Sequence, residues 1–154
     1  MSKFLSGKDL DDAICDTIWE AERKLMIVSP YIKLDDYFKK LFDKHENNPK
    51  VHLIIVFGKN EKAVARSMSE SDFAYFKKFL NVSIIYVPNL HAKYYGNEKQ
   101  GVITSINLYD YSFKNNIEFG VFSQQSIFDN FKQSADNDAW NKCIYHGYGG
   151  DYNS

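Results

Sequence analysis

Three short apolar runs, "LMIVS" at 25–29, "KVHLIIVFG" at 50–58 and "VSIIYVP" at 82–88, each follow a stretch with helical spacing. Apolar runs this short, bounded by charged residues and prolines, read as strands buried on both faces. Ahead of the first run, Leu10, Ala13, Ile14, Thr17, Ile18 and Ala21 recur at three- and four-residue intervals, which predicts an amphipathic helix. Leu34, Tyr37, Phe38 and Leu41 repeat the pattern in "LDDYFKKLFDKHENN", which stops at an Asn-Asn-Pro breaker. "SESDFAYFKKFLN" is a third helix, with Ser69 or Ser71 as N-cap. The alternation predicts an α/β fold with a mixed, largely parallel central sheet flanked by helices on both faces. Function in such sheets collects at the carboxyl ends of the strands.

After Pro88 the rhythm changes to short segments, "HAKYYG", "GVITS" and "EFGVF", the first two joined by a Gly-Asn-Glu-Lys-Gln turn that reads as a hairpin added to the sheet. The final stretch from 126 to 154 reads as one or two short helices and a Gly-rich tail. With 154 residues, the chain is expected to form a single domain, its core running from about residue 8 to about residue 125.

Nearly half the residues are apolar (44%) and a quarter are charged, a balance that excludes a disordered chain. The first 24 residues mix charges into their apolar positions, unlike a signal peptide or a membrane span, so a cytoplasmic, membrane-free protein is expected. Cys15 and Cys143 lie far apart and read as packing residues. Cys143 and His146 have a zinc-like spacing but no second pair, and no metal site is expected. A formal net charge of −1 gives no basic surplus, so any grip on a polyanion must come from local positive fields.

Polar chemistry is concentrated in residues 89–122, "NLHAKYYGNEKQGVITSINLYDYSFKNNIEFGVF". Strand alternation would place His91, Lys93 and Tyr95 on one face. A Lys beside a His binds an anion and lowers the imidazole pKa, leaving a neutral nucleophile suited to phosphate chemistry. Thr104, Ser105 and Asn107 of "TSIN" supply donors for phosphoryl oxygens. Glu118 is placed to accept the other ring N–H of His91 and fix its tautomer. Tyr31, Tyr94, Tyr95, Tyr109 and Tyr111 fall near this segment, where bases could stack on them, and Lys33, Lys59 and Lys114 could add local charge. His45, His52 and His146 read as helix-end, strand-surface and tail residues without companions.

The order His-x-Lys, Ser-x-Asn and Asn-x-x-Glu resembles the phospholipase D superfamily, whose motif runs His-x-Lys-x4-Asp and then Gly-Ser-x-Asn, with a Glu further on. "KLMIVSPYI" and "KVHLIIVFGKN" resemble that family's first two strands. Two positions differ: Glu98, in the hairpin turn, stands where the family has Asp, and Thr104 where it has Gly. The resemblance implies a phosphodiesterase in which His91 attacks phosphorus to form a phosphohistidine, while Lys93, Asn107 and Ser105 hold the nonbridging oxygens and no metal or other cofactor is required. The family joins two such motifs in one site. This chain has one, which implies a homodimer with the site on its two-fold axis.

Small single-motif members of the family look like nucleases, so nucleic acid, DNA or RNA, is the expected substrate. Two other readings stay open: a catalytically weak or inactive module that binds phosphate or nucleic acid, and a phospholipid phosphodiesterase.

Overall fold

The computed structural model describes residues 1–58, 63–109, 116–124 and 138–142. Its elements run β1 (Ser2–Ser6), α1 (Gly7–Trp19), β2 (Lys24–Val28), β3 (Ile32–Lys33), α2 (Asp36–Asp43), β4 (His52–Phe57), α3 (Glu70–Lys77), β5 (Val82–Tyr86), β6 (Tyr94–Asn97), β7 (Gln100–Thr104), β8 (Leu108–Tyr109) and β9 (Phe119–Gln124). Seven strands form one sheet in the order β1-β9-β7-β6-β2-β4-β5, and β3 pairs with β8 in a small parallel ribbon beside it. Among the described residues, no helix is long and apolar enough to cross a membrane.

The three apolar runs are the strands β2, β4 and β5, paired in parallel with Leu25 opposite Leu53 and Leu53 opposite Val82. The sheet is mixed, as the sequence implies, but parallel pairing is confined to these strands. The other four pairings are antiparallel. The reason is connection length: a parallel neighbour needs a long crossover, and the segments carrying α2 and α3 join neighbouring strands in this way, that carrying α1 spans to the far edge, and β6 and β7 are joined by a tight turn. β1 is a strand that the apolar patterning does not announce. It is an edge strand, largely exposed, so it lacks the apolar run that marks a buried strand.

Successive crossovers of one hand, advancing in one direction across a sheet, place their helices on the same face. Accordingly α1, α2 and α3 all pack on one side, where Leu10, Ile14, Ile18, Phe38, Phe42 and Phe76 meet Leu25, Ile27, Leu53 and Ile55. The opposite face of β2 and β4 buries Met26, Val28, Ile54 and Val56 with Tyr94, and Ala139 and Trp140 of the helical residues 138–142 pack against them. Asp35 caps α2 by accepting from Phe38 N–H at 2.8 Å. Ser69, rather than Ser71, caps α3, accepting from Asp72 N–H at 3.1 Å. Cys15 is half-buried and its thiol is pushed up to about 11, chiefly by burial, in keeping with a packing role. Cys143 and His146 lie outside the described residues.

The turn of the β6–β7 hairpin fastens the sheet to α1. Asn97 Nδ2 donates to the Thr17 carbonyl at 2.8 Å, and its Oδ1 accepts from Lys99 and Gln100 N–H. Gln100 Nε2 donates to Thr17 Oγ1 at 2.9 Å. Beside it, Glu98 accepts from the backbone N–H groups of Glu22, Arg23 and Lys24 at 2.8, 3.2 and 3.2 Å, so one carboxylate organises the connection from α1 into β2. A side chain that must reach across to three consecutive amides accounts for the extra methylene of Glu at this position.

Partial burial alone would push the Glu98 carboxyl up. The N–H groups of Glu98 itself, Glu22, Lys24 and Arg23 outweigh it and hold the group below its ordinary 4.5. A depressed native pKa gives stability that is present above the unfolded value and lost as pH falls through the native one. Glu98→Ala is therefore expected to cost about 1–2 kcal/mol at pH 7, as loss of an acidic cap does. Urea denaturation of both proteins at pH 7 and pH 3 checks this, and the difference between them should shrink at the lower pH.

Candidate active site

β2 runs into Ser29, Pro30 and Tyr31, and β7 runs into Ser105, Ile106 and Asn107; the two turns meet at one buried hydroxyl. Ser29 Oγ donates to the Tyr31 carbonyl at 2.7 Å and accepts from Leu108 N–H at 2.9 Å. Asn107 Oδ1 lies 3.5 Å from the same oxygen. A hydroxyl has a single proton, so the shorter bond takes it and Asn107 is held nearby rather than locked. Tyr95 supports the turn from beneath: fully buried, it donates to the Ile106 carbonyl at 2.7 Å. Burial pushes its phenol well above the ordinary value and the Glu118 charge adds to this, with a bond to Ser29 opposing, so the ring acts as a fixed donor.

The far side of the turn is tied to β9. Thr104 Oγ1 donates to the Phe119 carbonyl at 2.7 Å and accepts from Ile106 N–H at 3.2 Å. Ser105 N–H donates to the Phe119 carbonyl at 3.1 Å, and its Oγ donates to Glu118 Oε2 while accepting from Phe119 N–H at 3.2 Å. Lys93 enters through the backbone, its carbonyl accepting from Thr104 N–H at 3.2 Å, which continues the β6–β7 ladder by one residue. Thr104, Ser105, Glu118, Lys93 and Asn107 are thus gathered around the ends of β6, β7 and β9.

His91 stands in the lead-in to β6, two residues before Lys93. After β5 the chain turns at Pro88 and Asn89, whose φ of 60° is one that Asn tolerates. His91 is exposed and lines a pocket of about 300 Å³ with Val28, Val56 and Val87, at the carboxyl ends of the parallel strands. The strand expected from His91 onward begins at Tyr94 instead, and residues 91–93 carry no regular structure.

Other expectations divide. Tyr94 and Tyr95 are buried at 2% and 0% exposure, in the two separate cores, and cannot stack on a base. Tyr31, Tyr109 and Lys33 line a second cleft that also includes Asn107. Tyr111, Lys59 and Lys114 lie outside the described residues. His45 is a buried helix-end residue with its Nε2 2.7 Å from the Ile18 carbonyl, and His52 is half-buried against Ser83 Oγ at 2.8 Å. Among the described residues, no three His, Cys, Asp or Glu side chains gather as a metal would require. Ser29 is a residue to which sequence reasoning gives no role; its signal is the Ser-Pro-Tyr that closes the first apolar run.

A family described as cardiolipin synthase, PLD-like domain, matches residues 14–140. No curated protein matches the sequence. Among solved structures, Nuc from Salmonella typhimurium, described as a phospholipase D family member, superposes with a TM-score of 0.65 over 100% of both chains at 14% identity. NucT from Helicobacter pylori gives 0.63 over 96% of both chains, also at 14% identity. Phosphatidylserine synthase from Haemophilus influenzae gives 0.70 over 99% of this chain and 40% of that chain, at 11% identity. At such identities the likeness shows the fold, and the family match, which spans most of the sequence and contains His91, Lys93, Ser105, Asn107 and Glu118, shows the kinship. The chain belongs to the phospholipase D superfamily.

Proposed function

We propose that the protein is a metal-independent phosphodiesterase, a nuclease that works as a homodimer with one active site shared between two chains. The observation that carries this reading is the Ser105–Asn107 turn: Ser29 and Tyr95 hold it from within, and its exposed edge lies beside Lys93 and Glu118.

An imidazole nitrogen of His91 attacks phosphorus and forms a P–N bond as the P–O bond to the leaving group breaks. The leaving oxygen takes its proton from the imidazolium of the second chain's His91. That imidazole then removes a proton from water, whose oxygen attacks phosphorus and breaks the P–N bond, releasing the phosphate monoester and restoring both rings. Lys93 and Asn107 face the nonbridging oxygens, where negative charge accumulates, while Ser105, its hydroxyl proton engaged at Glu118, adds the shape of the turn. Glu118 accepts the second ring N–H of His91 in this scheme, with Ser105 Oγ orienting its carboxylate. Thr104 has its proton engaged at the Phe119 carbonyl, so its contribution to substrate is through the shape of the turn.

Support for the shared site comes from the sheet face next to it. Phe4 lies opposite Val121, Val121 opposite Ile103, and the Phe4 and Phe119 rings are 5.3 Å apart. With Ile117, at 90% exposure, they form an apolar patch at the rim of the site. Contiguous apolar surface of this kind marks an interface, and an isologous one would bring two copies of the rim, and the site beside it, together.

In EDTA, the native protein is expected to cleave labelled DNA or RNA, single- or double-stranded, and His91→Asn at matched folding to lose about 10³-fold or more of that rate. Cleavage that survives in the variant, or that vanishes with EDTA in the native protein, contradicts the mechanism. Phe4→Glu with Ile117→Glu is expected to give a folded monomer by sedimentation with cleavage abolished. A fully active monomer would refute the shared site.

A further inference from the structure

A cleft of about 590 Å³ opens beside the candidate site, well within the range of about 300–1,000 Å³ typical of ligand-binding clefts. It lies between the β3–β8 ribbon, the segment 65–67 and the start of α3, with α2 contributing Lys39. Three cations line it, Lys33, Lys39 and Arg66, and they come from three separate elements. Among the described residues none of the three is in an ion pair. Aromatic rings position two of them: Lys33 Nζ lies 5.4 Å from the Tyr109 centroid and Lys39 Nζ 5.6 Å from that of Tyr75. The lining includes one carboxylate, Asp72, which is buried and accepts from Leu34 N–H at 3.2 Å. The local balance is therefore positive in a chain whose total is −1.

Two further features fit an anionic, ring-bearing ligand. Ser67, on the cleft lining, is 1% exposed and its Oγ has no hydrogen-bond partner among the described residues, an orphaned donor that a bound group could satisfy. Tyr31 and Tyr109 add half-exposed rings on which a base can lie. Asn107 belongs both to this lining and to the Ser105–Asn107 turn, so the cleft and the reacting centre are continuous.

We infer that this cleft is a binding subsite for the nucleotide next to the scissile phosphate: Lys33, Lys39 and Arg66 take its phosphodiester and Tyr31 or Tyr109 stacks on its base. The inference rests on the nuclease reading and gives it a direction, since the strand passes from the Ser105–Asn107 turn toward α3. It also accounts for nucleic-acid binding without a basic surplus.

The test uses the full chain carrying His91→Asn, so that bound strands are not cut, with fluorescent single-stranded DNA of 4 and 16 nucleotides titrated over a range of salt. Lys33→Gln, Lys39→Gln and Arg66→Gln together are expected to weaken binding of the 16-mer by about tenfold or more. The salt dependence, log K against log salt, should flatten by about 2, at roughly 0.7 for each of three single-strand phosphates no longer neutralised. If the triple variant unfolds, Lys33→Gln with Arg66→Gln, both at exposed positions, should shift both quantities in the same direction. Tyr31→Leu should weaken the 16-mer several-fold while leaving an abasic strand of the same length unaffected. Unchanged affinity and slope overturn the inference, as does an equal loss when Lys8, Lys77 and Lys78, which lie outside the cleft, are neutralised instead. Hydrolysis of a small aryl phosphodiester by the protein with His91 intact, in EDTA, separates the two readings. Slopes that flatten in a protein that hydrolyses no diester keep the cleft and sink the catalysis; hydrolysis with unaltered slopes does the reverse.

Discussion

The hydroxyl of Ser29 is the point on which the geometry of the site depends. It is fully buried just past the end of the parallel strand β2, and through it two segments 79 residues apart in sequence are held together. Its bonds to the Tyr31 carbonyl and the Leu108 amide contribute about 1 kcal/mol each in ordinary terms. Their larger consequence is positional. The amide they satisfy belongs to the residue after Asn107, and the carbonyl belongs to a residue that lines the neighbouring cleft. A bare apolar residue here would leave a buried N–H and C=O unpaired and free the two turns to move independently. The candidate site and the neighbouring cleft are registered to each other by one oxygen atom.

The fold is legible where burial leaves a mark on composition. Leu25 to Val28, Leu53 to Phe57 and the stripe through Leu10, Ile14 and Ile18 are apolar because each is enclosed on every side it presents, and periodicity reports that enclosure directly. β1 escapes notice for the complementary reason: four of its five residues are exposed, and its pairing with β9 rests on backbone hydrogen bonds that any side chain permits. The share of parallel pairing is overestimated from sequence because three alternating helices and strands look alike whether or not the sheet continues beyond them.

The site is legible as a list and not as an arrangement. His91, Lys93, Ser105, Asn107 and Glu118 stand out by residue type and order, yet nothing in the order shows that Ser105 Oγ reaches Glu118, or that Thr104 commits its proton to the Phe119 carbonyl. Those bonds depend on β7 and β9 lying side by side, a pairing settled by the whole sheet. The same holds more strongly for the cleft. Lys33 follows an apolar run and could be suspected, but Lys39 and Arg66 sit on α2 and on the short 3-10 helix Val64–Arg66, far apart in sequence. They converge only because β3 pairs with β8 and Ile32 N–H reaches the Ser67 carbonyl at 2.8 Å.

That convergence bears on the one property of the sequence that argues against a polyanionic substrate. Net charge sets long-range steering, which salt screens beyond about 8 Å in physiological conditions, and a chain at −1 offers little of it. Within a cleft the relevant quantity is the charge facing the ligand: three cations without ion-pair partners among the described residues, against one buried carboxylate turned to a backbone amide. Such a surface would bind a strand where it lies close and exert little pull on nucleic acid elsewhere. An enzyme built this way would exchange association rate for local grip, holding the strand beside the reacting centre instead of along its whole length. The exposed apolar rim of Phe4, Ile117 and Phe119 fits the same logic, because a second copy docked there would double the cleft without adding net positive charge to either chain.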